Sequence, residues 1–546
     1  MIQQNQLAET VITGYTSEGE AVCRIDGCVV FVPGAIQGER CLVRVTHVGQ
    51  HSAHGVVEKL IEPSPHRVAP ECPYAAAGRC GGCQFWHMDY AEECRLKAQR
   101  VTDALRYIGG VELEKVPILG AESVKCYRNK AQFPVQPQNG RPVAGFYMQR
   151  SHRVVPIERC QIQDEAADEA KRIILQWAKK YAVSAYDEGS GNGLLRHIYV
   201  RKGAASGQVM VCLVVNGPAL PGEDALVARL RWGIKGLCSV LLCDNRKPGN
   251  VILSDRFRTL FGTDYIEDTL CGLRFRLSAR SFYQVNHDQA ERLYEKAVQA
   301  AGLTGNETVI DLYCGTGTIT LVMAKQAKRA IGVEIIPQAI EDAKENARRN
   351  GIENAEFFCA DASAAAKKLA SEGIRPDVIC VDPPRKGLAP EVIDAIAEMS
   401  PDRVVYVSCD PATLARDLKL LTARGYRLNT TQAVDMFPRT AHVETVCLLY
   451  HQKKEFISVP YEPKDAEYLK SYPGTATYEE IKEWILTKYN VKVSSLYVAQ
   501  VKAKHGLEMR DCYNRPRSEN SRQPQVPKEK EKMIEEALRH FRMIEN

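Results

Sequence analysis

Cys409 stands in Val-Ser408-Cys409-Asp410-Pro411, directly after the apolar run RVVYV. A free thiol is only a few per cent ionised at neutral pH. It becomes a useful nucleophile where its surroundings favour the thiolate. Glu444, in His442-Val-Glu444-Thr, precedes a second apolar run and offers a carboxylate base. Asp382 opens Asp382-Pro-Pro-Arg-Lys-Gly at the end of a third. Taken singly, Cys409 fits packing and Glu444 fits surface charge. Together the three fit covalent attack by a thiolate with proton removal by a carboxylate.

A second constellation points to a nucleoside. Asp311-Leu-Tyr313-Cys-Gly315-Thr-Gly317 follows an apolar strand and opens a helix. Glycines there let backbone N–H groups approach a ligand at the strand's C-terminal end. Gly332-Val-Glu334 places an acid at the end of the next strand, suited to a ribose diol, and Asp361 and Asp382 end the next two. A dinucleotide site expects a third glycine three positions after the second, where Thr320 stands. Pyrophosphate is therefore disfavoured, and S-adenosylmethionine, which has no phosphates, fits better.

Four further cysteines form a third group. Cys72, Cys80 and Cys83 are spaced C-x7-C-x2-C around the turn AGRCGGCQ, and Cys160 follows in RVVPIERCQI. Four thiolates suit zinc or an iron–sulfur cluster, and spacing does not separate the two. Cys94 and Cys126 are alternative ligands. Cys212, Cys238, Cys243, Cys271 and Cys447 read as small apolar residues. The total of 19 is odd, and the N-terminus MIQQNQLAETVITG lacks a basic start followed by an apolar core. Reduced thiols and a cytoplasmic location are expected.

The elements that must position these groups belong to several domains, as 546 residues are too many for one core. With 45% hydrophobic and 25% charged residues the chain is globular, and no apolar run is long enough for a membrane span. Residues 1–62 contain five strand-like runs, VITGY, EAVCRI, CVVFVPG, RCLVRVTHV and HGVVEKL, with Asp26-Gly27 as a hairpin turn. They predict an OB-like β-barrel. Residues 63–280 predict an α+β central domain; its helix at 90–108 is also open to packing on the next domain. Residues 281–452 alternate strand and helix, as in a doubly wound, Rossmann-like α/β domain. From 451 to the end, 18 Lys and Arg face 15 Asp and Glu. Residues 453–546 read as a charged, mostly helical extension, with a capping box at Thr477-x-x-Glu480, a helix after Ser494 and another in PKEKEKMIEEALRHF. The excess of 72 Lys and Arg over 67 Asp and Glu permits a nucleic-acid partner.

In order along the chain, Ser281-Phe-Tyr-Gln284-Val-Asn286, Asp311-Leu-Tyr313-Cys-Gly-Thr-Gly, Asp382-Pro-Pro-Arg-Lys-Gly, Ser408-Cys409-Asp410-Pro and His442-Val-Glu444-Thr resemble the RNA 5-methyluridine methyltransferase family. The resemblance covers most of residues 1–450 and includes a TRAM-like N-terminal barrel. It implies an RNA (uracil-5-)-methyltransferase using S-adenosylmethionine, with donor contacts at Gln284, Tyr313, Glu334 and Asp382. Cys409 then adds to uracil C6 and Glu444 removes the C5 proton. It also favours a structural [4Fe-4S] cluster on Cys72, Cys80, Cys83 and Cys160, although the first gap is seven residues where five is more usual. The barrel-plus-cluster layout resembles the ribosomal branch, so a monomer acting on 23S ribosomal RNA is expected, with transfer RNA as the alternative. The target base must leave its stack. Phe282 is a candidate either to hold it or simply to pack, and Lys130, Arg196, His197 and Arg201 are candidate phosphate contacts, each fitting ordinary surface charge at least as well. Two other readings exist. A non-catalytic RNA-binding assembly factor would not need Cys409 and Glu444. An exocyclic-amine methyltransferase would show Asn-Pro-Pro-aromatic in place of Asp382-Pro-Pro-Arg.

Overall fold

The computed structural model describes residues 2–452, 478–505, 507, 525–541 and 543–544. The chain forms two compact units, Met1–Lys453 and Lys454–Asn546.

The first unit contains three large sheets. The N-terminal sheet has six strands, ordered Leu7–Val11, Arg40–Val48, Ser52–Glu62, Cys28–Val32, Ala21–Ile25, Gly14–Tyr15. Asp26 and Gly27 both take positive φ and close the hairpin that pairs Ile25 with Cys28, as the Asp-Gly pair predicts. The run VITGY is not one strand. The N–H of Ile12 bonds to Glu39 and that of Thr13 to Val22, so the chain changes pairing partner between them. The second sheet has seven strands between Lys130 and Gly262, with the all-buried Val209–Val215 near its middle. Helix Glu165–Lys180 covers it with Ile174 and Trp177, both fully buried.

The third sheet positions the candidate site. Its order is Ala355–Cys359, Arg329–Glu334, Thr308–Leu312, Val378–Val381, Arg403–Ser408, Glu444–His451, Tyr426–Val434, Ile118–Leu119. The first five strands are parallel and Glu444–His451 runs antiparallel to its neighbours. The strand order reverses between Thr308–Leu312 and Val378–Val381, which opens a crevice at their C-terminal ends. Strand Tyr426–Val434 was not legible in the sequence, because its middle, Leu-Asn-Thr-Thr-Gln, is polar and only its ends are buried.

Helix Tyr90–Tyr107 packs on this sheet's side of the molecule. Val101 and Leu105 share a core with Tyr406, Leu414 and Leu418, and Ile118–Leu119 adds an edge strand. A buried ion cluster ties the helix down. Lys97 Nζ donates to Glu93 Oε1 and Asp435 Oδ1, each at 2.7 Å, and all three side chains are essentially inaccessible to water. Removing Lys97 leaves Asp435 without its cation and Glu93 with only the Arg439 guanidinium, at the longer 3.4 Å, for a cation, both away from solvent. Lys97→Met is therefore expected to cost about 3–5 kcal/mol of unfolding free energy, read from denaturant midpoints.

The second unit has helices Tyr478–Tyr489, Ser495–Lys504 and Lys528–His540 around Ile481, Ile485, Val498, Val501, Ile534 and Leu538. Ser494 caps the second by accepting from the Tyr497 N–H at 3.3 Å. The predicted capping residue Thr477 lies outside the described residues. Among the described residues no helix is long and apolar enough to cross a membrane.

Candidate active site

Strand register brings the sequence-predicted groups to one sheet edge. Leu312 is level with Val333 and Val381, Val381 with Tyr406, and Ser408 with Thr445. Glu334, Asp382 and Cys409 therefore end or follow parallel strands at the same edge. Glu444 begins the antiparallel strand there and faces the level of Cys409.

The glycine turn is shaped to approach a ligand. Tyr313, Gly315 and Gly317 all have positive φ. The Gly315 N–H donates to Glu334 Oε2 at 3.2 Å, while Oε1 accepts from the N–H groups of Ile335 and Ile336 at 2.8 and 3.0 Å. These bonds orient the carboxylate and leave lone pairs for a diol. Gly332 cannot carry a side chain, as a Cβ would come within 2.9 Å of Phe357 and of Cys314 Sγ. Asp361 is exposed and partly committed, since one oxygen accepts from the N–H groups of Ser363 and Ala364.

Two groups given no role from the sequence, Asp311 and Thr316, stand out. Asp311 Oδ2 accepts from Thr320 Oγ1 at 2.5 Å, but its Oδ1 is buried without a partner, as is Thr316 Oγ1. Burial pushes Asp311 up to about 7. Unpaired buried polar atoms are costly, and here they lie in and beside the glycine turn, where a polar ligand would satisfy them. Thr320, noted in the sequence only as a missing glycine, holds that carboxyl.

The environment of Cys409 is acidic. Asp410 caps helix Pro411–Thr422 by accepting from Ala412 and Thr413 N–H groups at 3.0 and 2.9 Å, fixing the turn that carries the thiol. Burial, then the carboxyls of Glu444 and Asp382, push Cys409 up to about 12, against Arg385. Burial, then Asp382, pushes Glu444 up to about 8, again opposed by Arg385. Burial pushes Asp382 up to about 7. Three acids thus converge near one guanidinium, an arrangement suited to a cationic ligand.

Gln284 is buried in the loop before helix His287–Ala301. Asn129 holds this loop, its Nδ2 donating to the Gln284 carbonyl at 3.0 Å and its N–H to that of Val285 at 2.8 Å. Phe282 in the same loop is 63% exposed.

Two expected phosphate contacts are corrected. Arg196 donates to the carbonyls of Asn245 and Lys247, and Arg201 to those of Ser278 and Ser281, both from buried positions. They brace the scaffold, because guanidiniums brought into the interior need acceptors there. The His197 ring is pushed down to about 4, first by burial and then by Arg196, so it is neutral. Lys130 is pushed down to about 8 by burial and by Arg201 and Arg128.

Cys72, Cys83 and Cys160 gather with Trp86 and Ile162 in a small buried cluster. Cys80 lies close enough to Cys83 and Cys160 that their charges would interact. The four are neighbours, yet among the described residues no three Cys, His, Asp or Glu side chains form a ready-made set of metal ligands. Cys94 lies elsewhere, against Tyr90 and Gly120, and Cys126 is exposed.

Residues 250–452 match the tRNA (uracil-5-)-methyltransferase family. An uncharacterized RNA methyltransferase of Halalkalibacterium halodurans is 44% identical over 449 residues, covering 82% of this chain and 98% of its own. The chain belongs to the RNA uracil-5-methyltransferase family. A second family member, an uncharacterized RNA methyltransferase of Clostridium tetani, is 42% identical over 83% of this chain and 99% of its own. This chain's fold is that of a solved relative, the Pyrococcus abyssi tRNA (uracil-54, C5)-methyltransferase in complex with S-adenosyl-L-homocysteine. The two share 27% identity at a TM-score of 0.66, over 81% of this chain and 99% of that one. This chain is thus an RNA methyltransferase whose methyl donor is S-adenosylmethionine.

Proposed function

We propose that the enzyme methylates C5 of a uridine in RNA through a covalent intermediate on Cys409. The convergence of Cys409, Glu444 and Asp382 at one sheet edge carries this reading. The Cys409 thiolate adds to C6, and the electron pair moves to the C5 side of the ring. C5 takes the methyl group, and the donor leaves as a neutral thioether. Glu444 removes the C5 proton, the C5–C6 double bond re-forms and Cys409 departs. Gln284, Tyr313, Glu334 and Asp382 hold the donor. Release of tritium from uridine labelled at C5, in step with methyl transfer, tests the sequence of events. Retention of the label in methylated RNA rejects it.

Asp382 and Glu444 set a pH dependence for donor binding. Below pH 7 Asp382 and Glu444 hold protons, and through about 7 and 8 they become anionic. A sulfonium about 5 Å away stabilises each anion by about 3 kcal/mol, or roughly 2 pKa units. Affinity for S-adenosylmethionine is expected to rise about 10²-fold or more between pH 6 and 9, with that for uncharged S-adenosylhomocysteine much flatter. Calorimetric titration of both checks it.

The favoured substrate is 23S ribosomal RNA, on the resemblance to the ribosomal branch. Transfer RNA is the second reading, because the solved relative acts on it. The enzyme is proposed to work in the cytoplasm as a monomer, with residues 1–62 as a TRAM-like RNA platform. Mapping 5-methyluridine in both RNAs from a strain lacking the gene separates the two substrates.

On the family resemblance we propose a [4Fe-4S] cluster on Cys72, Cys80, Cys83 and Cys160, which would cross-link the turn at Cys72–Cys83 to Cys160. Anaerobically purified protein is expected to contain about four irons per chain, and Cys83→Ser to lose them. Zinc alone would reject the assignment.

A further inference from the structure

We propose that Gln84 and Arg439 are positioning residues for the Glu444 carboxylate, so that the cysteine-rich turn acts on the reaction through segment 435–442. This rests on the function proposed above.

The segment Asp435-Met-Phe-Pro-Arg-Thr-Ala-His442 leads into the strand that begins at Glu444. It has no regular structure, and its neighbours hold it bond by bond. At its start, Asp435 meets Lys97 and the Tyr90 hydroxyl at 2.7 and 2.8 Å, and its carbonyl accepts from Gln289 Nε2 at 3.0 Å. The Asn286 amide donates to the Met436 carbonyl at 3.1 Å, and the Tyr127 hydroxyl to that of Pro438 at 2.9 Å.

The end nearest Glu444 is held by the cysteine turn. Gln84 directly follows Cys83. Its N–H donates to the Arg439 carbonyl at 2.8 Å, and its Oε1 accepts from the Ala441 N–H at 3.1 Å. Arg100 Nη1 donates to the Ala441 carbonyl at 2.6 Å, so this peptide is gripped from both sides three residues before the carboxylate. Arg439 itself has φ +70, a strained value for a residue with a side chain. Its buried guanidinium reaches the Met88 carbonyl at 3.1 Å and lies over Trp86, 4.9 Å from the ring centroid. Its N–H donates to Glu93 Oε1 at 2.7 Å. These contacts over-determine a conformation that segment 435–442 would not hold alone.

The bonds act on the start of the Glu444 strand, whereas Cys409 is carried by a different strand and a capped helix. Loosening them therefore separates two steps. With the donor bound, thiolate addition uses Cys409, whereas proton removal needs Glu444 in place. A misplacement of about 1 Å slows a step by about 100-fold.

The experiment uses the full-length enzyme carrying Gln84→Ala, with Gln84→Glu, which keeps an oxygen acceptor for Ala441, and Arg439→Lys as second variants. Covalent adduct with 5-fluorouridine RNA reports addition, and tritium release from C5 reports proton removal. In Gln84→Ala, adduct formation is expected to stay within about twofold of wild type. Tritium release should fall about tenfold or more, with a covalent complex accumulating on ordinary uridine RNA. Gln84→Glu is expected to recover most of the release. Should Gln84→Ala fail to fold, Arg439→Lys must show the same split. Adduct formation and release falling together, neither changing, or no recovery in Gln84→Glu overturns the proposal. If wild-type enzyme forms no adduct, the covalent function is itself wrong and this inference falls with it.

Discussion

Cys409→Ala is expected to lower methyl transfer by about 10⁴-fold or more, while leaving the fold and donor binding intact. In the proposed mechanism the thiol makes uracil C5 nucleophilic, since without addition at C6 the ring has no enolate to present to the methyl group. The substitution removes a single half-buried sulfur and leaves the Asp410 cap and the Ser408 hydroxyl in place. Two measurements check it: transfer of labelled methyl to RNA, and the covalent adduct with 5-fluorouridine RNA, both absent in the variant. Residual transfer within about tenfold of wild type would mean that the sulfur forms no bond to substrate. Because burial and two carboxyls hold the thiol up near 12, the reactive thiolate should form only once the cationic donor is bound. An adduct yield that depends on S-adenosylmethionine follows from this.

Glu444→Gln is expected to lower turnover by about 10²–10⁴-fold, the usual contribution of a positioned base. Unlike Cys409→Ala, it leaves addition and methylation possible. The enzyme should therefore become trapped on its RNA as a denaturation-resistant complex that already carries the new methyl group. The replacement is nearly isosteric, and the buried side chain is already largely protonated below pH 8, so the fold should tolerate it. A carboxyl raised by burial binds protons in the folded state that the unfolded chain has released. It therefore costs stability as pH rises from about 4 towards 8. Removing it should make the donor-free enzyme more stable than wild type at pH 8 and little different at pH 4, by thermal unfolding. Wild-type turnover in this variant would remove Glu444 from the mechanism.

The candidate site was legible because its residues sit at strand ends. Cys409, Asp382 and Glu334 each follow a short apolar run, and in a doubly wound sheet such positions share one edge. The Asp26-Gly27 turn and the helix after Ser494 were legible for local reasons, since backbone conformation and capping are decided within a few residues. Arg196 and Arg201 misled because charge in a sequence says nothing about which way a strand faces; both are buried against carbonyls. Strand Tyr426–Val434 was missed because its place in the sheet comes from the neighbour it pairs with, not from its own pattern.

By itself, then, the sequence determined the family, the sheet edge at which Cys409, Asp382 and Glu334 meet, and the thiols that gather around Trp86. Each of these depends on residue type at a fixed distance from an apolar run. Only the tertiary structure decided that helix Tyr90–Tyr107 belongs to the catalytic core, that Asp311 keeps an unpaired buried oxygen, and that the cysteine turn grips the segment leading to Glu444. Those are contacts between residues up to several hundred positions apart. They are set by which buried polar groups find partners when the sheets and helices close, and no local pattern records that.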